Sequence, residues 1–206
     1  MSIINFSKNY LFIHIPKTGG SSIKRMLEPT LTIRDVLLGG TPFGEAIATH
    51  YLQKYGIGKH ATAVQLKKEL GKDQYNAMYS FSIVRNPYFR TLSIFLFLKQ
   101  WKKGPYHNEI RLIKTLSQFL KSSVIEKDPI ARPQATWITD DNQHLLIDEI
   151  YKLEELSHNI QKLWGVLKLE REKILIVKVN ESYKLKKDLE SLADPATQKI
   201  IQELYK

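Results

Sequence analysis

The chain has 206 residues, of which 43% are hydrophobic and 25% are charged, and this composition predicts one compact domain over residues 1–206. It has no cysteine, which excludes disulfide scaffolds, thiolate metal sites and cysteine nucleophiles, and no apolar run reaches the roughly 18 residues that a membrane span needs. With 31 basic and 21 acidic residues the net charge is +10, which indicates an anionic partner, and the absence of a signal-peptide pattern indicates a soluble cytoplasmic protein.

Apolar runs, turn residues and helix caps divide the chain into strands and helices. In chain order, the predicted elements are a strand over 10–15, a helix over 21–27, a loop over 28–42, a helix over 43–55, a short helix capped by Thr62 and ending at Leu70, a strand over 79–84, a helix from Pro87 to Trp101, a helix over 109–120, a strand over 149–153, a helix over 157–167, a strand over 174–179 and a last helix starting at Asp194 and Pro195.

This alternation predicts an α/β fold in which a mainly parallel central sheet is flanked by helices. In such sheets ligands bind at the carboxyl ends of the strands. Two predicted strands end in polar segments, one over 16–22 and the other over 85–86. We therefore expect the functional site to be built from these two segments.

The first polar segment is a turn between a buried strand and a helix, with the sequence Lys17-Thr18-Gly19-Gly20-Ser21-Ser22. Backbone N–H groups at a helix N-terminus favour an anion and Lys17 adds a full positive charge, so this P-loop-like strand–turn–helix predicts phosphate binding. An ordinary Gly-Gly turn with a solvated lysine is the alternative. The Walker A pattern does not fit, because here the lysine precedes the glycines, and this disfavours a nucleotide triphosphatase.

The second polar segment places two anion-binding side chains near the start of the next helix. Arg85 ends its strand, and Ser93 lies on the same helix face as the cap residue Asn86, almost two turns further along. A guanidinium binds phosphate bidentately, and a hydroxyl can donate to the same group. Together the two segments predict a nucleotide that carries phosphates at two positions.

Both segments resemble the cofactor motifs of sulfotransferases that use 3′-phosphoadenosine-5′-phosphosulfate (PAPS). Their 5′-phosphosulfate loop is similar to Phe12-Ile-His-Ile-Pro-Lys-Thr-Gly-Gly-Ser-Ser, and their 3′-phosphate segment to Ile83-Val-Arg-Asn-Pro-Tyr-Phe-Arg-Thr-Leu-Ser. The pattern looks like that of glycan sulfotransferases of the heparan-sulfate 2-O type and the bacterial Pro-Lys-Thr-Gly-Gly type. Weaker similarities extend over most of the chain, at Lys59-His-Ala-Thr, Arg132-Pro-Gln, Tyr151-Lys-Leu-Glu-Glu, Val179-Asn-Glu-Ser and Asp194-Pro-Ala-Thr. Phe89 departs from the pattern, which usually has Asp there.

The resemblance implies the sulfotransferase fold and an enzyme that moves a sulfuryl group from PAPS to a hydroxyl. Transfer would be in line, need no metal and release adenosine 3′,5′-bisphosphate (PAP). Lys17 is implied to be catalytic, because it would stabilise charge on the leaving oxygen. The residues implied to bind the donor are Lys17, Thr18, Gly19, Gly20, Ser21, Ser22, Arg85 and Ser93.

A histidine is suited to accept the proton of the acceptor, because its pKa lies near neutral pH. His60 lies in the connection Gly58-Lys59-His60 and matches the position of the family's catalytic histidine, so it is the main candidate for the base. His50 is the second candidate. His14 alternates with isoleucines along its strand, which is typical of a buried core histidine. The histidine spacings show no metal-binding pattern, so no metal site is predicted.

Two other functions stay open from the sequence alone, a P-loop-type kinase and a non-catalytic module that binds a polyanion. The aromatic residues over 88–97 follow helix spacing and do not form a base-stacking platform, so no nucleic-acid partner is predicted. The expected partner is an acceptor molecule, either a glycan or another hydroxyl compound. Arg132-Pro133-Gln134 is either an acceptor-binding segment or a structural turn, and Asn180-Glu181-Ser182 either contacts adenine or is a plain loop.

Overall fold

The computed structural model describes residues 1–169 and 194–205. The strand predicted over 174–179 and the segment Asn180-Glu181-Ser182 lie outside the described residues. The described residues form two compact units, one built from Met1–Val84 with 134–169 and the other from Arg85–Pro133 with 194–205. The single domain over 1–206 stays a prediction.

A five-stranded sheet organises the described part of the first unit. Its strands are β1 (Ile3–Asn5), β2 (Tyr10–Ile13), β3 (Val36–Leu37), β4 (Tyr79–Val84) and β5 (Glu149–Lys152). The order is β3-β1-β2-β4-β5, in which β2, β4 and β5 are parallel and β1 is antiparallel to β2 and β3. The strands predicted over 10–15, 79–84 and 149–153 are confirmed. β1 and β3 were not predicted, because strands this short do not show an alternating pattern of apolar and polar residues.

Helices alternate with these strands, which confirms the α/β class. The described helices are α1 (Gly20–Leu27), α2 (Pro42–Tyr55), α3 (Ala63–Leu70), α4 (Lys72–Ala77), α5 (Pro87–Gln100), α6 (His107–Ile110), α7 (Leu116–Leu120), α8 (Ser123–Lys127), α9 (Leu156–Val166) and α10 (Pro195–Leu204). Single 3₁₀ turns are found at Glu28–Thr30, Pro129–Ala131, Gln134–Trp137 and Leu153–Glu155. Over 1–169 and 194–205, none of these helices combines the length and the apolar content needed to cross a bilayer.

Side chains of β2 alternate between two hydrophobic cores on opposite faces of the sheet. Tyr10 and Phe12 pack with residues of α1 and α9 on one face. Leu11 and Ile13 pack with residues of α2, α3 and α4 on the other face. A strand buried on both faces reads as a continuous apolar run, as the sequence does here. The segment that follows β2 therefore begins from a rigid, fully buried strand.

Capping residues set most helix boundaries where the sequence predicts them. Thr62 and Gln65 form a capping box at the start of α3, with the Thr62 Oγ1 accepting from the Gln65 N–H at 3.2 Å. Gly56, with φ of 69°, ends α2, and Asp194 caps α10. The single helix predicted over 109–120 is wrong, because Thr115 caps a new helix, α7, and separates it from α6.

The second unit is helical around a core contributed by α5, α6, α7, α8 and α10. Arg90 on α5 is 1% exposed, and its guanidinium donates to the carbonyls of Ile130 and Arg132 at 2.7 and 3.0 Å. Burial lowers the pKa of Arg90 to about 10 although the nearby Tyr205 opposes the shift. The Tyr205 hydroxyl donates to the carbonyl of Ala131 at 3.0 Å. These contacts fix the backbone that precedes Pro133, which supports the structural-turn interpretation of Arg132-Pro133-Gln134.

Candidate active site

The turn after β2 holds its lysine in an unusual backbone conformation. Lys17 has φ of 67°, and Gly19 has φ of 84° with ψ of 13°. A left-handed lysine is strained by about 1 kcal/mol, and such strain is concentrated at functional sites. Turns with left-handed residues also aim successive backbone N–H groups into one concavity that suits an anion. The half-buried Lys17 therefore sits in a turn whose backbone is shaped for a negatively charged group.

Helix α1 begins with its donors directed at this turn. Gly19 is the N-cap, and within the described part of the chain no side chain caps the helix. The first N–H groups of a helix lack intrahelical acceptors, and the first turn, Gly20-Ser21-Ser22-Ile23, contains no acid that would compete for them. This end of α1 is therefore suited to phosphate or sulfate oxygens, and binding of such a group there stays a prediction.

The side chains around the helix start differ in what they can offer to an anion. Thr18 is fully buried and its hydroxyl donates to the carbonyl of Ile15 at 2.9 Å, so this hydroxyl is not available to donate to an anion. Ser21 is exposed. Ser22 is 5% exposed, and its N–H donates to the carbonyl of Gly19 at 2.9 Å inside the helix.

Close packing explains both glycines of the turn. A Cβ on Gly19 would lie 2.6 Å from Cδ1 of Leu153, and its positive φ already favours glycine. Gly20 has an ordinary helical backbone, yet a Cβ there would overlap the His14 imidazole at Nε2. His14 itself is 5% exposed and follows β2 directly. The Gly-Gly pair thus lets the start of α1 approach both a leucine and a histidine.

His60 lies next to His14, on the same unit as the turn. Its Nδ1 is 3.2 Å from the backbone carbonyl of His14, and the two rings have centroids 4.6 Å apart. A carbonyl only accepts, so Nδ1 of a neutral His60 carries the proton and Nε2 carries the lone pair. The segment is anchored by the Ser2 N–H, which donates to the carbonyl of Lys59 at 3.0 Å. Nε2 is therefore the atom of His60 that can accept a proton.

Both histidines are held in the neutral form. Burial, followed by the positive charge at the N-terminal amine, lowers the pKa of His60 to about 3, although its hydrogen bond to the His14 carbonyl opposes the shift. Burial also lowers the pKa of His14, with further contributions from the N-terminal amine, His60, Lys59 and Lys17. A neutral His60 is the form that a general base requires.

An ion pair lies beside His60 in the chain. Lys59 Nζ is 2.5 Å from Oε1 of Glu45, which also accepts the N–H of Gly40 at 2.9 Å. Burial opposes ionisation of Glu45, but the Gly40 N–H and the Lys59 ammonium outweigh it and lower the pKa of the carboxyl. Lys59 lowers the pKa of His60 and Glu45 raises it. The two members of the ion pair therefore shift the pKa of His60 in opposite directions.

The depressed histidine pKa values predict that acid weakens the fold. A histidine of the unfolded chain binds its proton near pH 6.5, whereas His14 and His60 in the folded chain do so only at lower pH. The unfolded state then holds more protons, so the free energy of unfolding falls below pH 6.5 by up to about 1.4 kcal/mol per pH unit for each histidine. Urea denaturation at pH 6.5, 5.75 and 5 measures this slope.

A matched pair of variants isolates the His60 contribution to that slope. We expect His60→Gln to have a shallower slope than the wild type, and the exposed His158 serves as the control, since His158→Gln should retain the full slope. Equal unfolding free energies at pH 6.5 and 5 would contradict the prediction.

Arg85 and Ser93 belong to the second unit. Arg85 directly follows β4, and the Asn86 side chain caps α5 by accepting the N–H of Tyr88 at 3.0 Å. Arg85 is 8% exposed and Ser93 is 1% exposed, so both side chains are buried. Arg85 therefore directly precedes the cap of α5 and Ser93 lies midway along that helix, and their binding role stays a prediction.

The structure also locates the two remaining histidines considered above, His50 and His14. His50 is exposed on α2, with its ring 6.3 Å from that of Tyr51. His14 is buried as predicted, but its contacts with Gly20 and His60 were not foreseen. The sequence hints at these contacts only through Gly20. Its backbone φ does not require glycine, so the lack of a Cβ is what position 20 needs. In residues 1–169 and 194–205, no group of three or more His, Asp or Glu is placed to hold a metal ion.

One of three comparisons with known proteins found a match. The family model described as Sulfotransferase family matches residues 2–206. No curated protein and no solved structure matches the chain. The family match spans both segments in which the sequence resembles sulfotransferase cofactor motifs, and it confirms that resemblance. The chain therefore belongs to the sulfotransferase family, whose members transfer a sulfuryl group to an acceptor.

Proposed function

We propose that this protein transfers the sulfuryl group of PAPS to a hydroxyl, of a saccharide in the first instance, and releases PAP. The observation that carries the proposal is the strained Lys17 turn at the start of α1, with His14 in contact with both Gly20 and the ring of His60. An anion-binding helix terminus and a neutral base within one small cluster are what sulfuryl transfer to a hydroxyl requires.

Two groups of the first unit would carry the chemistry. Lys17, the N–H groups from Gly19 to Ser21 and the Ser22 hydroxyl hold the 5′-phosphosulfate, and Lys17 and the N–H groups stabilise the charge that develops on the leaving 5′-phosphate oxygen. His60 Nε2 takes the proton of the acceptor hydroxyl as its oxygen bonds to sulfur and the bond from sulfur to the phosphate oxygen breaks. A bound anion near His60 raises its pKa from the low value that burial imposes, which strengthens it as a base. This scheme requires no metal.

Arg85 and Ser93 are assigned to the 3′-phosphate of the donor, on the strength of the sequence resemblance. A guanidinium pairs bidentately with phosphate, and its burial limits competition by water. Ser93 is 1% exposed on α5, so its hydroxyl is shielded from bulk water.

The donor assignment predicts which nucleotide the protein recognises. Arg85→Ala removes charge-assisted hydrogen bonds to the 3′-phosphate, so we expect calorimetry to show PAP binding about 10- to 100-fold more weakly. Binding of adenosine 5′-monophosphate, which lacks that phosphate, should change little. Arg111→Ala is the control, because Arg111 is an exposed arginine of the same unit. Unchanged PAP affinity in Arg85→Ala would overturn the assignment.

Two rival functions give different results in a thermal-shift assay. A P-loop-type kinase is stabilised by Mg·ATP, whereas the proposed enzyme is stabilised by PAP and not by Mg·ATP. A polyanion-binding module binds heparin with a steep dependence on salt and shows no preference for PAP. Stabilisation by PAP alone supports the proposal, and either of the other patterns replaces it.

The acceptor is the finer part of the proposal. The saccharide assignment rests on the resemblance to glycan sulfotransferases, and acceptor loops vary more than cofactor loops. An array of saccharide, phenol and amine acceptors with ³⁵S-labelled PAPS identifies the acceptor class. The cytoplasmic location stays a prediction from the sequence.

A further inference from the structure

We propose that His14 is a positioning residue, whose imidazole sets the position of the His60 base relative to the N-terminus of α1. The inference rests on the proposed function, in which those two parts act on opposite ends of the transfer. The inference assigns a functional role to His14, which by its burial alone would be a core residue.

The first support is the contact between His14 and His60. The His14 carbonyl accepts the Nδ1 proton of His60 at 3.2 Å, and the rings lie 4.6 Å apart with an angle of 34° between their planes. The carbonyl selects the tautomer in which Nε2 is the base, and the ring restricts the orientation of the His60 imidazole. The carbonyl belongs to the backbone, so a displacement of the His14 ring changes the orientation of His60 and leaves its tautomer unchanged.

The second support is the contact between His14 and α1. Its Nε2 faces Gly20 so closely that no Cβ fits there, and Gly20 is the first residue of the helix. One imidazole thus touches the base on one side and the anion-binding helix terminus on another. Because His14 is 5% exposed and lies between the fully buried Ile13 and Ile15, it has little freedom to move away.

The electrostatics around the pair agree with a positioning role. The charged and titratable groups that act on His60 are the N-terminal amine, His14, Lys59 and Glu45. Burial contributes most to the low pKa of His60. If the His14 ring is displaced, His60 becomes better solvated and its pKa rises toward the ordinary value near 6.5.

Gly20→Ala tests the inference without altering either histidine. The new Cβ must push against the His14 ring, so thermal unfolding of the variant is measured first. If Gly20→Ala does not fold, His14→Ala is the second variant, and removal of the ring should also raise the titration midpoint of His60. Gly165→Ala is the matched control, because Gly165 is a helical glycine on α9 with open space around its Cβ position. The readout is the titration and tautomer of His60 by NMR of ¹⁵N-labelled histidine in the protein without ligand.

We expect Gly20→Ala to raise the titration midpoint of His60 by at least half a pH unit, whereas Gly165→Ala leaves it at the wild-type value. The shift should vanish in a His14→Ala background, where the ring that transmits it is gone. No shift in Gly20→Ala overturns the proposal, and so does an equal shift with and without the His14 ring. Calorimetry with PAP on the wild type and on Gly165→Ala tests the donor assignment separately, so failure of one is distinguishable from failure of the other.

Discussion

His60→Ala is expected to lower kcat for sulfuryl transfer by about 10²- to 10⁴-fold, which is the usual contribution of a positioned general base. The physical reason is that Nε2 of His60 carries the lone pair, since Nδ1 donates to the His14 carbonyl at 3.2 Å. PAP affinity should be retained within a few-fold, because His60 is assigned to the acceptor proton and not to the phosphates. Steady-state assays with the acceptor found in the array, together with calorimetry, measure both quantities.

Two other histidines make this prediction specific. His158→Ala is the control for an exposed histidine and should keep wild-type turnover. His50→Ala tests the second candidate for the base, which lies exposed on α2. If His60→Ala turns over at nearly the full rate, or if His50→Ala loses turnover in its place, the base has been assigned to the wrong histidine.

Lys17→Ala is expected to lower kcat by about 10²- to 10³-fold, as removal of one preorganised donor at a developing oxyanion does. The effect on kcat should exceed the effect on PAP affinity, because charge builds on the leaving oxygen mainly in the transition state. Turnover with PAPS and calorimetry with PAP separate the two effects.

The matched control for Lys17 is an exposed lysine on α3. Lys68→Ala removes the same charge from the same unit, so it corrects for the net charge of the protein. We expect it to leave kcat unchanged. A loss of kcat in Lys17→Ala that equals the loss in PAP affinity would assign Lys17 to binding alone.

The parts of the fold that the sequence predicted are those with strong local signals. β2 and β4 are apolar runs, and N-cap residues such as Thr62 and Asp194 mark the first turn of a helix. The break between α6 and α7 was missed because the apolar spacing over 109–120 continues through it, while the cap at Thr115 decides the structure. Local capping overrode periodicity there.

The candidate site shows a similar division between local and distant effects. The turn from Lys17 to Ser22 was predicted because the order of lysine, glycines and serines carries the information. The link from Gly20 through His14 to His60 was not, since it depends on ring orientations between residues 46 positions apart in the chain. The left-handed φ of Lys17 was equally out of reach, because nothing in local propensity favours lysine there.

The left-handed backbone of Lys17 lowers the stability of the fold at a position where the proposed reaction needs a positive charge. Glycine adopts a φ of 67° without penalty, so the most stable version of this turn would have glycine at position 17. Such a version would lack the ammonium, and with it the charge that the proposed reaction needs. The lysine is thus a residue at which engineering for thermal resistance and engineering for turnover would choose different amino acids.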